Sequence, residues 1–379
     1  DQAQAVGAVR KMNLVPVSVS LSSKGFSLTI FRKRNASLDD MVIFSRQLAT
    51  MVDAGIPLVG ALDILQDQAD NKFFSGVITK VRNDVESGSS LSDALAKHKN
   101  VFSSLFVNMV KAGESSGMLD EIMDRLAEYM EKTSALNKKV KSALIYPAVV
   151  TAMALAITLL LLLKVIPVFK TIFADFGAQL PAPTAALLSV SDFLQRYILV
   201  IFIAVVLAAT ALGRYFKTEK GSLRIDRFLL KMPIFGILFS KVAVSKFTRT
   251  LSTLIKSGVP ILSAFEIVGK TSGNRVVEMA IDDVRKNVRE GENIAEPLAK
   301  SKVFPPMVTR MVAIGEQTGQ LEKMLSKIAD FYDQQVDAAV SGLTSLIEPL
   351  IIAFLGIVIG GIVICMFLPI FKMSDIVGL

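Results

Sequence analysis

The sequence predicts an all-α, polytopic membrane protein with three transmembrane helices and two homologous helix-bundle domains. Three observations carry that prediction: three long uncharged apolar runs, an internal repeat, and apolar stripes of helical period framed by capping residues.

The apolar runs come first. Of the 379 residues, 52% are hydrophobic, and the mean hydropathy of +0.51 is high for a soluble chain of this length. Ser142–Leu163, Tyr197–Gly213 and Pro349–Phe371 contain no charged residue and run 22, 17 and 23 residues. At about 1.5 Å per helical residue, each can cover most or all of a ~30 Å hydrocarbon layer. A buried core helix seldom stays uncharged for so long. The spans are set at 142–166, 197–213 and 346–371.

Charge placement gives the orientation. The formal charge is +8, and the excess sits in two places, residues 1–40 and 214–246. Lys132, Lys138, Lys139 and Lys141 precede the first span, and Arg214, Lys217, Lys220, Arg224, Arg227 and Lys231 follow the second. Only Lys164, Lys170 and Arg196 lie between them. Cations gather on the cytoplasmic side of membrane proteins. The N-terminus is therefore expected in the cytoplasm, with 41–141 and 214–345 as two cytoplasmic domains. Residues 167–196 are expected as an outer loop and 372–379 as an outer tail. A nucleic-acid binder would spread its cations over one domain face, so nucleic acid is not an expected partner. The stretch Asp1–Val9 lacks a basic start and an apolar stretch, so no cleavable signal is expected. The leading segment 1–40, which starts without Met, reads as a truncated or renumbered piece.

The repeat is the most informative feature. Phe44-Ser45-Arg46-Gln47-Leu48 returns as Phe247-Thr248-Arg249-Thr250-Leu251, and Gly55-Ile56-Pro57-Leu58 as Gly258-Val259-Pro260-Ile261, an offset of 203. One residue is lost near His98 and the offset becomes 202: Gly113-Glu114-Ser115-Ser116-Gly117 matches Gly315-Glu316-Gln317-Thr318-Gly319, and Pro147 matches Pro349. Each unit is a helical domain followed by a span, and the middle span returns the chain to the same side.

Within each unit, about six helices are expected. Leu119, Ile122, Met123, Leu126, Tyr129 and Met130 form one apolar stripe, and Leu321, Met324, Leu325, Ile328, Phe331 and Tyr332 repeat it. Pro57 is expected in the first turn of a new helix. Ser90 with Asp93, and Asn293 with Glu296, are expected as capping boxes, and Pro305-Pro306 opens a helix where Ser103-Ser104 does. The last helix of each unit, from Leu119 and from Leu321, is expected to run on toward its span.

Little in the chain carries catalytic chemistry. One histidine, His98, and one cysteine, Cys365, cannot build a metal cluster, a disulfide or a nucleophile–histidine triad with ligands to spare. No catalytic, cofactor-binding or metal residue is assigned, and no enzyme is expected. Gly269-Lys270-Thr271 fails as a phosphate loop because Ala264 stands where the first glycine is required. A transporter built from repeats would carry ionisable residues at mid-membrane depth, whereas Lys164 and Glu348 stand at span ends. The candidate contact or structural residues are Pro57 and Pro260, the two Gly-Glu-x-x-Gly turns (Gly113, Glu114, Gly117 and Gly315, Glu316, Gly319), and the pairs Tyr146-Pro147 and Glu348-Pro349. In the turns the glycines permit positive φ, and Glu114 and Glu316 are expected to cap the next helix or to face a partner. Each Pro is expected to kink the helix where it meets the membrane.

With these residues in view, the chain resembles the GspF/PilC family, the inner-membrane platform proteins of type II secretion and type IV pilus machines. The resemblance rests on Phe44–Leu58 (FSRQLATMVDAGIPL), Gly113–Gly117 with Leu119, Leu144-Ile145-Tyr146-Pro147, and their echoes in the second half. Asp1–Val19 resembles the end of the family's small leading segment, a helix followed by a strand. Ile166–Leu188 is closer to the pilus branch, so a PilC-like platform is preferred to a GspF-like one. The resemblance implies a bacterial inner-membrane protein that self-associates. Its implied partners are hexameric cytoplasmic ATPases, pilins or pseudopilins, and alignment-complex proteins of the inner membrane.

Overall fold

The computed structural model describes residues 35–175, 181–216, 218–233 and 235–377, so the leading segment before Asn35 lies outside the described residues. Among those described, every regular element is a helix. The first bundle comprises α1 (Leu38–Asp53), α2 (Leu58–Gln68), α3 (Lys72–Glu86), α4 (Leu91–Ala96), α5 (Ser104–Ser116) and the long α6 (Leu119–Leu160). After a π-helical turn at Leu161–Val165 come α7 (Ile166–Asp175), α8 (Ala182–Phe216) and α9 (Glu219–Lys231). The second bundle repeats the first as α10 (Phe235–Lys256), α11 (Ile261–Thr271), α12 (Arg275–Arg289), α13 (Ala295–Lys300), α14 (Pro306–Thr318) and α15 (Leu321–Val377).

Local chemistry sets most boundaries. Ser37 and Asp40 form a reciprocal capping box at the start of α1, three residues before the domain start read from the sequence. Asn71 caps α3 and Asn274 caps α12. The α1–α2 and α10–α11 turns are copies of one another: Gly55 and Gly258 take φ of 76° and 77°, and the next N–H returns to Met51 O and Leu254 O at 2.9 and 3.0 Å. Pro57 and Pro260 stand one position before the first helical residue, not inside the first turn. Their fixed φ, −55° and −53°, starts the new helix.

The bundle cores follow the apolar stripes. Ile122, Met123, Leu126 and Met130 of α6 are buried, as are Leu325, Ile328 and Tyr332 of α15. Phe331 departs from the expected stripe. It is 38% exposed, because Ala329 (1% exposed) takes the inward position and leaves Phe331 edge-on to Tyr332. Bundle one centres on Phe44, Phe74, Phe102 and Phe106, with ring centroids 5.3–6.4 Å apart. Bundle two keeps the Phe247–Phe304 pair at 4.5 Å, with Val277 and Val308 buried where the repeat places the other two rings. The two cores form one contiguous apolar cluster.

Both long helices run unbroken from bundle into span. α6 continues through Pro147, and α15 through Pro349. The two rods lie side by side, joined by Leu136, Val336 and Leu343 and by a Lys139–Asp337 ion pair at 2.7 Å. The three candidate spans are contained in Leu119–Phe169, Ala182–Phe216 and Leu321–Leu368. Their apolar side chains point outward; Leu199 is 69% and Ile357 76% exposed, a surface that only lipid or another apolar partner would cover.

Residues 167–196, expected as a loop, are largely helical, because α7 and α8 extend the first two spans. The reason lies in packing. Leu162, Ile166, Leu188 and Ile362 form an apolar cluster between the three helices. The π-turn also leaves carbonyls that helical bonding alone does not serve; the Ser191 hydroxyl donates to Leu162 O, and Gln195 Nε2 donates to Leu163 O at 3.1 Å. In an apolar layer such groups must find protein partners.

Candidate functional site

The two Gly-Glu-x-x-Gly turns are structurally equivalent, and each of their residues has a separate task. Gly117 and Gly319 close α5 and α14 in the left-handed conformation, with φ of 70° and 69°. Gly113 and Gly315 are helical, and their task is close approach. A Cβ at Gly113 would stand 3.2 Å from Leu119 Cα, and one at Gly315 would stand 2.9 Å from Leu321 Cα. The last helix of each bundle therefore crosses its predecessor at backbone contact.

Glu114 and Glu316 cap helices, but not the next ones. Glu114 reaches back to the short α4, where its carboxylate accepts from the N–H groups of Leu91 and Ser92, the latter at 3.1 Å. Glu316 does the same for α13, accepting from Ile294 N at 2.7 Å and Ala295 N at 3.3 Å. A six-residue helix has four orphan N–H groups and little else to hold it, so a carboxylate at its positive end is well placed. The expected Asn293–Glu296 box does not form: the cap position is Ile294, with no side-chain acceptor of its own. In the first copy, Ser90 adds a bond from Asp93 N at 3.1 Å.

The remaining candidates do not converge with the turns. Tyr146, Pro147, Glu348 and Pro349 lie where α6 and α15 enter their spans; Tyr146 is half-exposed and Glu348 is exposed. Pro57 and Pro260 sit at the interhelical turns already described. The Gly269-Lys270-Thr271 segment is the end of α11, where Lys270 pairs with Glu266 at 2.8 Å.

Two charge clamps escaped sequence reasoning. Arg46 of α1 bonds Glu131 and Asp124 of α6, each at 2.6 Å. Arg249 of α10 bonds Asp330 at 3.2 Å and Asp333 of α15. Arg46 and Arg249 stand in the repeated Phe-x-Arg motif, and Glu131 and Asp333 are matched at the 202 offset, so a charge kept across both copies was the available signal. Between the bundles, Tyr129 Oη meets Thr250 Oγ1 at 3.2 Å, and Arg125 donates to the Lys256 carbonyl. Asp39 at the head of α1 accepts from Lys138 and Ser134, and these bonds hold its carboxyl below the usual range. Among the described residues, no cluster of three metal-ligating side chains is found.

The arrangement defines a class: a membrane-anchored scaffold of two repeated helix bundles whose closing helices double as transmembrane rods. The chain matches the family described as Type II secretion system (T2SS), protein F, over residues 44–167 and 247–369, one match per repeat. It belongs to that family. It is 46% identical to the type IV pilus assembly protein PilC of Myxococcus xanthus, over 97% of this chain and 91% of the relative. It is 44% identical to the PilC protein of Thermus thermophilus, over 98% and 92%. The type II secretion system protein F of Vibrio cholerae is 34% identical, again over 98% and 92%.

Proposed function

We propose that this chain is the inner-membrane platform of a type IV pilus machine. It couples hexameric cytoplasmic ATPases to the insertion of pilins into the fibre and their removal from it. Both bundles face the cytoplasm, as the cations flanking the spans indicate, and residues 372–379 end outside. The platform self-associates, meets alignment-complex proteins in the membrane, and works by contact and not by catalysis.

The observation that carries this reading is the pair of rods. α6 and α15 each run without interruption from a bundle core into a span, and they are bonded to one another just before they enter the membrane. A displacement imposed on the bundles then travels along one helix per bundle, in which Pro147 and Pro349 each leave out a single backbone bond. Pilins would be lifted or released at the spans.

Two measurements test this. The full chain should co-purify with a hexameric ATPase, which neither a repeat-built transporter nor a sensor protein would do. Ala143→Pro would remove a further bond of the α6 ladder at the membrane entrance, four residues before Pro147, where an interior proline costs about 3 kcal/mol or more. Cells carrying it should retain ATPase co-purification and lose fibres. Normal fibre assembly with the rod broken would end the reading. A defect in protein secretion with normal fibres would favour the type II secretion branch instead.

A further inference from the structure

The geometry points to a binding site for the phosphate headgroup of an acidic phospholipid, in the cavity that α9 closes beneath the second span. The cavity has a volume of about 440 Å³. Its floor is apolar, built from Ala243, Val244, Val277 and Phe304, and three cations stand around it, Arg227, Lys231 and Lys302. Such a mixed lining suits an amphiphile with an anionic head better than a wholly polar solute.

Four observations converge on this ligand. None of the three cationic side chains makes an ion pair or hydrogen bond to another described residue, whereas about half of the cations elsewhere on the bundles are ion-paired. The nearest acid on α9, Asp226, is already engaged, accepting from Arg275 N at 2.7 Å and from the Ser222 hydroxyl.

The cavity is also held against the membrane. α9 follows the end of α8 almost at once, and a Cβ at Gly221 would stand 2.0 Å from the Tyr215 carbonyl oxygen. At the other end, a Cβ at Gly236 would stand 2.4 Å from Leu230 O. Gly221 and Gly236 therefore each bring α9 to backbone contact with a neighbouring segment. From Glu219 to Arg227 is about 12 Å along the helix, a distance that lets long cationic side chains extend toward the phosphate layer at the end of the second span.

Third, Phe228 on α9 and Ile237 just beyond it are 66% and 58% exposed. Apolar side chains beside Lys and Arg on a short amphipathic helix are the pattern of a segment that lies in the interface.

Fourth, Lys302 has φ of 54°, and it is the one non-glycine residue with positive φ among those described. It sits where the second copy is one residue shorter than the first. Left-handed backbone at such a residue is unfavourable and is a pointer to function; here the residue that carries it lines the cavity.

The test uses the full chain in phosphatidylcholine nanodiscs doped with phosphatidylglycerol, with retained lipid read by mass spectrometry. Wild type should retain phosphatidylglycerol preferentially, and each cation removed should weaken that preference by about fivefold. R227Q/K231Q/K302Q should abolish it, while K270Q/K286Q, at exposed and paired lysines away from the cavity, should leave it intact. K302G is the decisive variant. Glycine accepts the backbone conformation, so the melting midpoint should hold or rise while the preference falls, and misfolding cannot explain the loss. Retention by K302G and by the triple variant equal to wild type would overturn the site. Displacement of the lipid by an excess of inorganic phosphate would identify a soluble anion as the ligand and overturn the lipid assignment.

Discussion

Replacing Glu316 by Ala removes both acceptors at the head of α13 in a single step. Two bonds are lost, to Ile294 N at 2.7 Å and Ala295 N at 3.3 Å, both partly buried. Loss of a helix cap costs about 0.5–2 kcal/mol, and a hydrogen bond to a charged group is worth about 1.5–3 kcal/mol. Because α13 has no other side-chain cap, the loss should fall near 2–3 kcal/mol. Glu114→Ala should cost less, about 1–2 kcal/mol by the same measures, since Ser90 still holds Asp93 N. The order of the two variants is thus the informative outcome. For a unit of this size, 1 kcal/mol moves the melting midpoint by roughly 2–4 °C, so Glu316→Ala should melt about 4–12 °C lower. Far-ultraviolet circular dichroism of the detergent-solubilised chain is the suitable assay, because the sequence contains no tryptophan. A Glu316→Ala midpoint equal to wild type, together with loss of ATPase co-purification, would refute capping and restore an outward docking role.

Leu126 and Leu325 are both 0% exposed, and replacing either by Ala should destabilise the chain by about 2–5 kcal/mol through lost burial and a residual cavity; thermal melts without loss would show that the rods do not close the cores. Gly315→Ala places a methyl group 2.9 Å from Leu321 Cα, a backbone atom that cannot turn aside, and should cost about 1–3 kcal/mol; Gly113→Ala, with its nearest contact at 3.1 Å, should cost less in the same melt. Burial draws the Lys246 ammonium below its ordinary value of 10.5. Between the lowered folded value and 10.5 the unfolded chain binds more protons than the folded one, so stability should rise with pH through that window. Lys246→Ile, which matches Ile43 of the first copy, should abolish that rise in melts taken from neutral to alkaline pH.

Much of this architecture could be read before any coordinates. Charge-free runs longer than a core helix needs announce spans, and a repeat with one gap announces two like bundles, because both signals are properties of the chain read in order. Gly117 and Gly319 were legible as turn formers, since a helix that must stop needs a left-handed residue. Other features belonged to distance in space. Nothing local says that Glu114 bonds a helix 22 residues upstream, or that Ser191 serves a carbonyl of another span. The helical extension of 167–196 was hidden for a related reason: its packing partners lie on other helices, at Leu162 and Ile362.

The order of residues alone determined most of the helices outside 167–196, the three apolar spans, and that the whole design occurs twice, because hydropathy, periodicity and turn chemistry act over a few residues at a time. Only the tertiary structure decided which carboxylate caps which helix, that the two rods lie side by side, and that three cations ring one cavity under the second span. Those outcomes depend on how helices cross. Crossing is set by the sum of many small contacts, such as a glycine that lets two backbones touch, and no single stretch of sequence contains that sum.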